Sequence, residues 1–206
     1  MKNLLVEFIG TFFLVLVIGL SGNPLAIGAI LMVMVYMGGH VSGAHYNPAV
    51  TLAILMRGKI KANEAIMYMI TQLLGATAAA FSCYIIMGHT FAPAPAAGIS
   101  IIKPLLIEIA FTFALASVVL NVATSKKTSG NSFYGLAIGF TVLAGAIAGG
   151  QISGGAFNPA VGTGPILIDC IVGHHSMQNL WIYLVGPFAG AAIAAMVFRF
   201  LNPDDL

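Results

Sequence analysis

Two asparagines carry the most informative chemistry in this chain. Asn47 and Asn158 are each followed by Pro-Ala-Val and each lies a few residues after a Ser-Gly pair. Asparagine at a helix start accepts from early backbone N–H groups, and proline at the first helical position lacks the N–H that would have no partner. The asparagine NH₂ is then left to donate. We therefore expect two donors for a neutral oxygen.

The two motifs are part of an internal repeat. Residues 42–50 align with residues 153–161 at an offset of 111, with three mismatches in nine positions. Leu-Leu-Val-Glu ending at Glu7 and Leu-Leu-Ile-Glu ending at Glu108 form a second matched pair. The sequence therefore predicts one domain over 1–206, made of two copies at about 1–103 and 104–206.

The composition is that of a membrane protein. Hydrophobic residues make up 59% of the chain and charged residues 7%, against about 25% charged residues in soluble domains. No charged residue occurs between Glu7 and Arg57. With a net charge of +2, no nucleic-acid partner is expected. No nucleophile with its base, phosphate loop or metal-ligand cluster is recognisable, so the sequence predicts neither an enzyme nor a cofactor or metal.

The apolar segments fall into two length classes. An α-helix needs about 20 apolar residues to span a bilayer. Six segments are predicted to span the membrane: about 4–19, 26–39, 62–87, 105–124, 133–148 and 180–201. The glycines at 38, 39 and 43 are predicted to end the second helix. Two others, 47–56 and 158–168, are about half that length. They are predicted to enter the membrane and stop there.

This arrangement predicts an all-α inverted repeat around a cavity. Each copy has three spans and one half-helix, and because three is odd the second copy enters from the opposite face. The half-helices then meet near the midplane, where broken backbone is tolerated only if it is buried in protein or lines a watery cavity. Their positive ends disfavour cations there. Water that accepts from both asparagines would also interrupt a proton-conducting chain.

The chain resembles the aquaporin, or major intrinsic protein, family over nearly its whole length. The resemblance rests on both motifs, the paired glutamates, residues 39–51 and Val-Gly-Pro-Phe at 185–188. It implies six spans with two half-helices, a homotetramer with one pore per subunit, and passive flow of water or small neutral solutes. The central constriction would comprise Asn47, Pro48, Ala49, Asn158, Pro159 and Ala160.

The second motif departs from the family pattern. The family places an arginine after Asn-Pro-Ala, whereas this chain has Val161. In the family, this arginine belongs to an outer selectivity filter, and its other three positions correspond to Ile27, Ala146 and Gly155 in this chain. The predicted filter is therefore made of small or apolar, uncharged residues. Candidate solutes beside water are ammonia, carbon dioxide, hydrogen peroxide, urea-like solutes and undissociated metalloid acids.

The resemblance assigns further residues to the pore and its support. Predicted to line the pore are His45, Gly43, Ala44, Ser153 and Gly154. Predicted to support the pore loops are Glu7, Glu108 and His40.

Orientation and alternative functions complete the expectations. Seven of the eight basic residues fall on one side of the predicted topology, which places both termini in the cytoplasm. Short termini favour a prokaryotic plasma membrane. The alternatives are a secondary transporter, which also uses inverted repeats and broken helices, and a structural membrane protein with an occluded pore.

Overall fold

The computed structural model describes residues 1–205, and within that range the chain is helical with no β-strand. The α-helices are α1 (Lys2–Ser21), α2 (Pro24–Ser42), α3 (Pro48–Met56), α4 (Ala62–Met87), α5 (Ile102–Val119), α6 (Tyr134–Ser153), α7 (Pro159–Ile171) and α8 (Leu180–Leu201). A π-helical turn, Leu120–Thr124, continues α5, and 3₁₀ turns form at Lys126–Thr128 and Pro203–Asp205.

Six of these segments are long and apolar enough to cross a bilayer. The two helices that begin at the repeated motifs are shorter, with 9 residues in α3 and 13 in α7. At 1.5 Å per residue they reach about 14 and 20 Å, less than a hydrocarbon core of about 30 Å. The predicted fold class, an all-α protein of six spans and two half-helices, is confirmed.

Two helices run further than predicted. The glycines at 38 and 39 do not break α2, which continues to Ser42, and α6 continues five residues past the predicted end at Ala148. The glycines serve close packing instead: a Cβ on Gly38 would lie 1.9 Å from the Tyr46 hydroxyl oxygen. Both helices end one turn later at glycines with positive φ, 84° at Gly43 and 92° at Gly154.

Small residues let the long helices approach closely. A Cβ on Gly75 of α4 would lie 2.7 Å from the Phe8 carbonyl oxygen of α1, and one on Gly190 of α8 would lie 2.4 Å from that of Ile109 in α5. Backbone-to-backbone packing of this kind is how helices associate in lipid, where apolar side chains gain little from leaving the solvent. The pairs α1–α4 and α5–α8 thereby form two matching walls around the half-helices.

At the face of the bundle that carries both termini, one buried ion pair joins the end of α3 to the C-terminal turn. Arg57, at the end of α3, donates from Nη2 to Asp205 Oδ1 at 3.0 Å. The other Asp205 oxygen accepts from the backbone N–H of Lys126 at 3.0 Å. The guanidinium also lies 4.8 Å from the centroid of the Phe198 ring. The half-helix, the central linker and the C-terminal turn are therefore held by one carboxylate.

Candidate pore and its constriction

Each half-helix begins at an asparagine that caps it. The Asn47 Oδ1 accepts from the N–H of Ala49 at 2.8 Å and of Val50 at 3.4 Å. The Asn158 Oδ1 accepts from the N–H of Ala160 at 2.9 Å. Because α3 and α7 both start at the centre of the bundle, both positive dipole ends lie there.

The two asparagines also brace each other's loops. Asn47 Nδ2 donates to the Phe157 carbonyl and Asn158 Nδ2 donates to the Tyr46 carbonyl, both at 2.9 Å. A carboxamide NH₂ has two hydrogens, so one N–H of each asparagine is used across the repeat and one is left. The sequence predicted donors into the pore but gave no indication of this exchange, which joins residues 110 and 112 positions apart.

Buried glutamates hold the loops that precede the asparagines. Glu7 accepts from the backbone N–H groups of His45 at 2.9 Å and Tyr46 at 2.7 Å. Glu108 accepts from those of Ala156 at 3.0 Å and Phe157 at 2.6 Å. Both carboxylates are fully buried. Since neither lines either of the two cavities described below, their geometry is that of loop support.

Positive φ at two bulky residues explains why such support is needed. Tyr46 and Phe157 both have φ of 49°, a left-handed conformation that is uncommon outside glycine and costs free energy. The carboxylates bind the N–H groups of these same residues. The left-handed conformation turns each loop abruptly, so that the carbonyls of Tyr46 and Phe157 face the asparagine of the other repeat.

Two tyrosines that sequence reasoning missed complete the support. The Tyr68 hydroxyl donates to the Ser42 carbonyl at 2.9 Å, and the Tyr183 hydroxyl donates to the Ser153 carbonyl at 2.5 Å. They occupy matching places on α4 and α8, at an offset of 115. That offset differs from the 111 of the asparagine motifs, which is why a search at one fixed offset does not find them.

A cavity of about 430 Å³, which we call the main cavity because it reaches both asparagines, extends toward the face opposite the termini. The four residues assigned to the outer filter, Ile27, Ala146, Gly155 and Val161, all lie in its wall, as do Ala44, His45 and Gly154. No Asp, Glu, Lys or Arg of the described chain contributes to this wall. The structure thus brings together mostly apolar groups, together with the amide of Gln151, around the two asparagine amides.

The connection between α4 and α5 supplies a part of the wall that the sequence did not indicate. Phe91 lines the main cavity and packs where a Cβ on Gly19 would meet its ring at 2.4 Å. The N–H of Ala96 donates to the Ile152 carbonyl at 3.1 Å and fixes the loop on α6. The four assigned filter positions lack an aromatic ring, and Phe91 places one in the same cavity.

A second cavity, about 440 Å³, opens toward the face with the termini. Gly43 lies in its wall together with Lys59 and Glu64. His45 and Val119 line both cavities, so these two side chains mark the place where the cavities meet.

Two assigned residues lie elsewhere. Ser153 was expected to line the pore, but its side chain is fully buried behind the loop and its hydroxyl donates to Glu108 at 2.7 Å. It belongs to the support of the loop. His40 was expected to support the loops, but its side chain makes no hydrogen bond within residues 1–205. Its side chain is exposed in the last turn of α2, and the loop contacts of Glu7 are made by Ser42, His45 and Tyr46 instead.

Half-helices that meet at the centre of the bundle beside a cavity, with loop backbone braced on both sides, are the arrangement of a membrane channel. The sequence model of the Major intrinsic protein family matches residues 1–198. The chain therefore belongs to the major intrinsic protein family, and the expectation of a channel rather than an enzyme is confirmed.

Curated relatives and a solved structure agree with that assignment. The chain is 36% identical to Aquaporin NIP1-4 of Oryza sativa, over 98% of this chain and 77% of that protein. It is 34% identical to Glycerol uptake facilitator protein-like 6 of Lactiplantibacillus plantarum, over the full length of both. The aquaglyceroporin from Plasmodium falciparum superposes with a TM-score of 0.87, covering 98% of this chain and 97% of that one, at 23% identity. That likeness shows the shared fold.

Proposed function

We infer that this protein conducts water together with small uncharged solutes through the path formed by the two cavities. The observation that supports this most is the wall of the main cavity, which includes Ile27, Ala146, Gly155 and Val161 and contains no fixed charge. Such a wall gives little discrimination between neutral solutes by hydrogen bonding. Size then becomes the main criterion for passage.

The absence of an arginine at position 161 changes the barrier to ions without removing it. A guanidinium 4 Å from a cation would add a repulsion of about 4 kcal/mol at an effective dielectric near 20. Desolvating an ion in this apolar wall still costs several kcal/mol. The helix starts at Asn47 and Asn158 add their positive ends at the centre. Ions therefore remain excluded, while larger neutral solutes gain room.

The two buried carboxylates argue for passive conduction over coupled transport. A secondary transporter needs an ionisable group that faces the substrate path. Glu7 and Glu108 are saturated by loop N–H groups and by the hydroxyls of Ser42 and Ser153. Neither is available to bind and release a coupling proton or substrate.

The solutes that we expect, beside water, are ammonia, hydrogen peroxide, carbon dioxide, urea-like molecules and undissociated metalloid acids. The protein is an integral membrane protein. We also propose a homotetramer with a pore in each subunit, one channel domain with repeats at about 1–103 and 104–206, and cytoplasmic termini in a prokaryotic plasma membrane. Lys59 in the wall of the second cavity and the other basic residues that the sequence places on that side support this orientation.

Stopped-flow measurements on proteoliposomes test the breadth of permeation. Vesicles with the wild-type protein should pass water, hydrogen peroxide, ammonia and urea faster than protein-free vesicles. The control is Ala146→Trp, which should fill the main cavity and reduce all of these fluxes together. Flux of water alone through the wild type would refute a broad filter.

A further inference from the structure

A buried polar cluster occurs in the first copy of the repeat and has no counterpart in the second. It consists of His45, Thr51 and Gln72, which we call the polar triad. The matching positions of the second copy carry Ala156, Gly162 and Pro187.

The second copy shows that the fold does not need the triad. There, Glu108 still binds its loop and the Tyr183 hydroxyl still donates to the Ser153 carbonyl. The same loop geometry, including φ of 49° at Phe157, forms although the three matching positions carry no histidine, threonine or glutamine. The triad therefore serves something other than holding the loop.

The triad is one connected hydrogen-bond chain. Gln72 Nε2 lies 2.7 Å from Glu7 Oε2 and 3.0 Å from Thr51 Oγ1. Thr51 Oγ1 lies 3.0 Å from the Asn47 carbonyl oxygen and 3.1 Å from His45 Nδ1. The Gln72 side chain is fully buried, and it lines neither cavity.

The position of each hydrogen follows from what each group can donate. Gln72 must direct its NH₂ at Glu7, because a carboxylate accepts and does not donate. The second hydrogen of that NH₂ then points at Thr51. The threonine hydroxyl has a single hydrogen of its own and two lone pairs.

That single hydroxyl hydrogen decides the state of the histidine. If it pointed at His45, the contact of 3.0 Å between Thr51 Oγ1 and the Asn47 carbonyl would set two oxygens together with no hydrogen between them. Thr51 Oγ1 has a fourth, longer contact of 3.5 Å with Gln72 Oε1. The three contacts of 3.1 Å or less are all hydrogen bonds only if the hydroxyl hydrogen goes to the carbonyl. Nδ1 of His45 must then carry a hydrogen and donate it to Thr51.

We propose that Gln72 is a positioning residue that, through Thr51, holds His45 in its Nδ1–H tautomer and turns Nε2 into a hydrogen-bond acceptor where the two cavities meet. Nε2 makes no hydrogen bond to any described residue, and its ring lines both cavities. The effect of this tautomer on permeating solutes rests on the proposed function, because it requires that solutes pass His45.

The consequence is an ordered sequence of polar groups along the path. At the centre, Asn47 and Asn158 donate to a solute. At the junction of the cavities, His45 accepts from it. Water passing both groups must turn its hydrogens away from the centre. This orientation opposes proton relay in a channel whose outer filter has no arginine. Among neutral solutes small enough to pass the filter, those with a hydrogen to donate, such as water, ammonia and hydroxylated molecules, are favoured at this junction.

Nitrogen-15 solid-state NMR of the protein in bilayers reads the tautomer directly. The wild type should show His45 with a hydrogen bonded to Nδ1 and a bare Nε2 near neutral pH. A hydrogen on Nε2, or on both nitrogens, would overturn the proposal. This spectrum does not depend on conduction, so an expected tautomer in a protein without flux would refute the proposed function alone.

Variants then separate Gln72 from general structure. Gln72→Met keeps the length of the side chain and removes the donor to Thr51, and one hydrogen bond is enough to shift a tautomer ratio by roughly fivefold. His45 should become a mixture, with several-fold lower water flux. Thr51→Ser keeps the hydroxyl and should retain the wild-type spectrum, whereas Thr51→Val should give the mixture. An unchanged tautomer in Gln72→Met, or in Thr51→Val if the first variant does not fold, would contradict the role of the triad.

Discussion

Replacing Val161 by arginine tests the assignment of the filter most sharply. Val161 is at the third position of α7, lines the main cavity and is 4% exposed. The larger side chain has somewhere to go, because the cavity of about 430 Å³ adjoins it. A cation at this helix start opposes the macrodipole by about 0.3–1 kcal/mol, which leaves the fold intact.

The expected effect on permeation differs between ions and neutral solutes. A repulsion of about 4 kcal/mol at 4 Å corresponds to about a thousandfold lower passage of a cation. The flux of urea and glycerol should fall because the path narrows, and it should fall further than the flux of water. Proton leak, measured with a pH-sensitive dye inside proteoliposomes, should decrease.

A matched control separates charge from size. Val161→Met lengthens the side chain without a charge, so it should reduce urea flux while leaving the leak of protons and cations near the wild-type value. If Val161→Arg changes neither solute selectivity nor proton leak, position 161 does not lie at the constriction, and the reasoning on the filter is wrong.

Three further predictions follow from groups outside that position. Phe91→Ala removes the aromatic ring from the cavity wall and should increase glycerol flux more than water flux in stopped-flow assays; equal changes would place the ring outside the path. Glu108→Gln leaves a loop N–H without an acceptor and should cost about 1–3 kcal/mol of stability, measured as a lower unfolding midpoint in detergent; an unchanged midpoint would contradict its role. The Ser125 hydroxyl, a backbone N–H and the Arg57 guanidinium hold the pKa of Asp205 below its ordinary value, so the stabilisation is present above the unfolded pKa of about 3.9 and is lost as the pH falls through the lower folded value. The Asp205→Asn variant should therefore have a lower unfolding midpoint than the wild type at neutral pH, and the same midpoint at pH values below the folded pKa of Asp205. A difference in midpoint that persists in acid would show that this ion pair is not the source of the stabilisation.

The sequence was sufficient for what depends on local composition and on the repeated motif. Apolar length separated spans from half-helices, and Asn-Pro at 47 and 158 placed both helix starts within one residue. The glycines at 38 and 39 were misleading, because they favour a break locally. Inside the continuous helix, Gly38 makes room for Tyr46 and Gly39 packs against Tyr134.

What the sequence did not indicate depends on contacts between distant residues. The exchange of amide hydrogen bonds between the asparagine loops exists only once both copies are folded together. Gln72 is an isolated amide in the apolar middle of α4, and its repeat counterpart is Pro187, so no pattern identified it. Phe91 lies in the loop between α4 and α5, and the position of its ring depends on packing against Gly19 of α1.

The most direct test of passive conduction is the dependence of urea flux on its gradient in wild-type proteoliposomes. We predict that flux rises in proportion to the gradient, without saturation, and is unchanged by an imposed proton or sodium gradient. The Ala146→Trp variant should reduce it to the level of protein-free vesicles. Saturable flux that follows an ion gradient would contradict a channel and indicate a transporter.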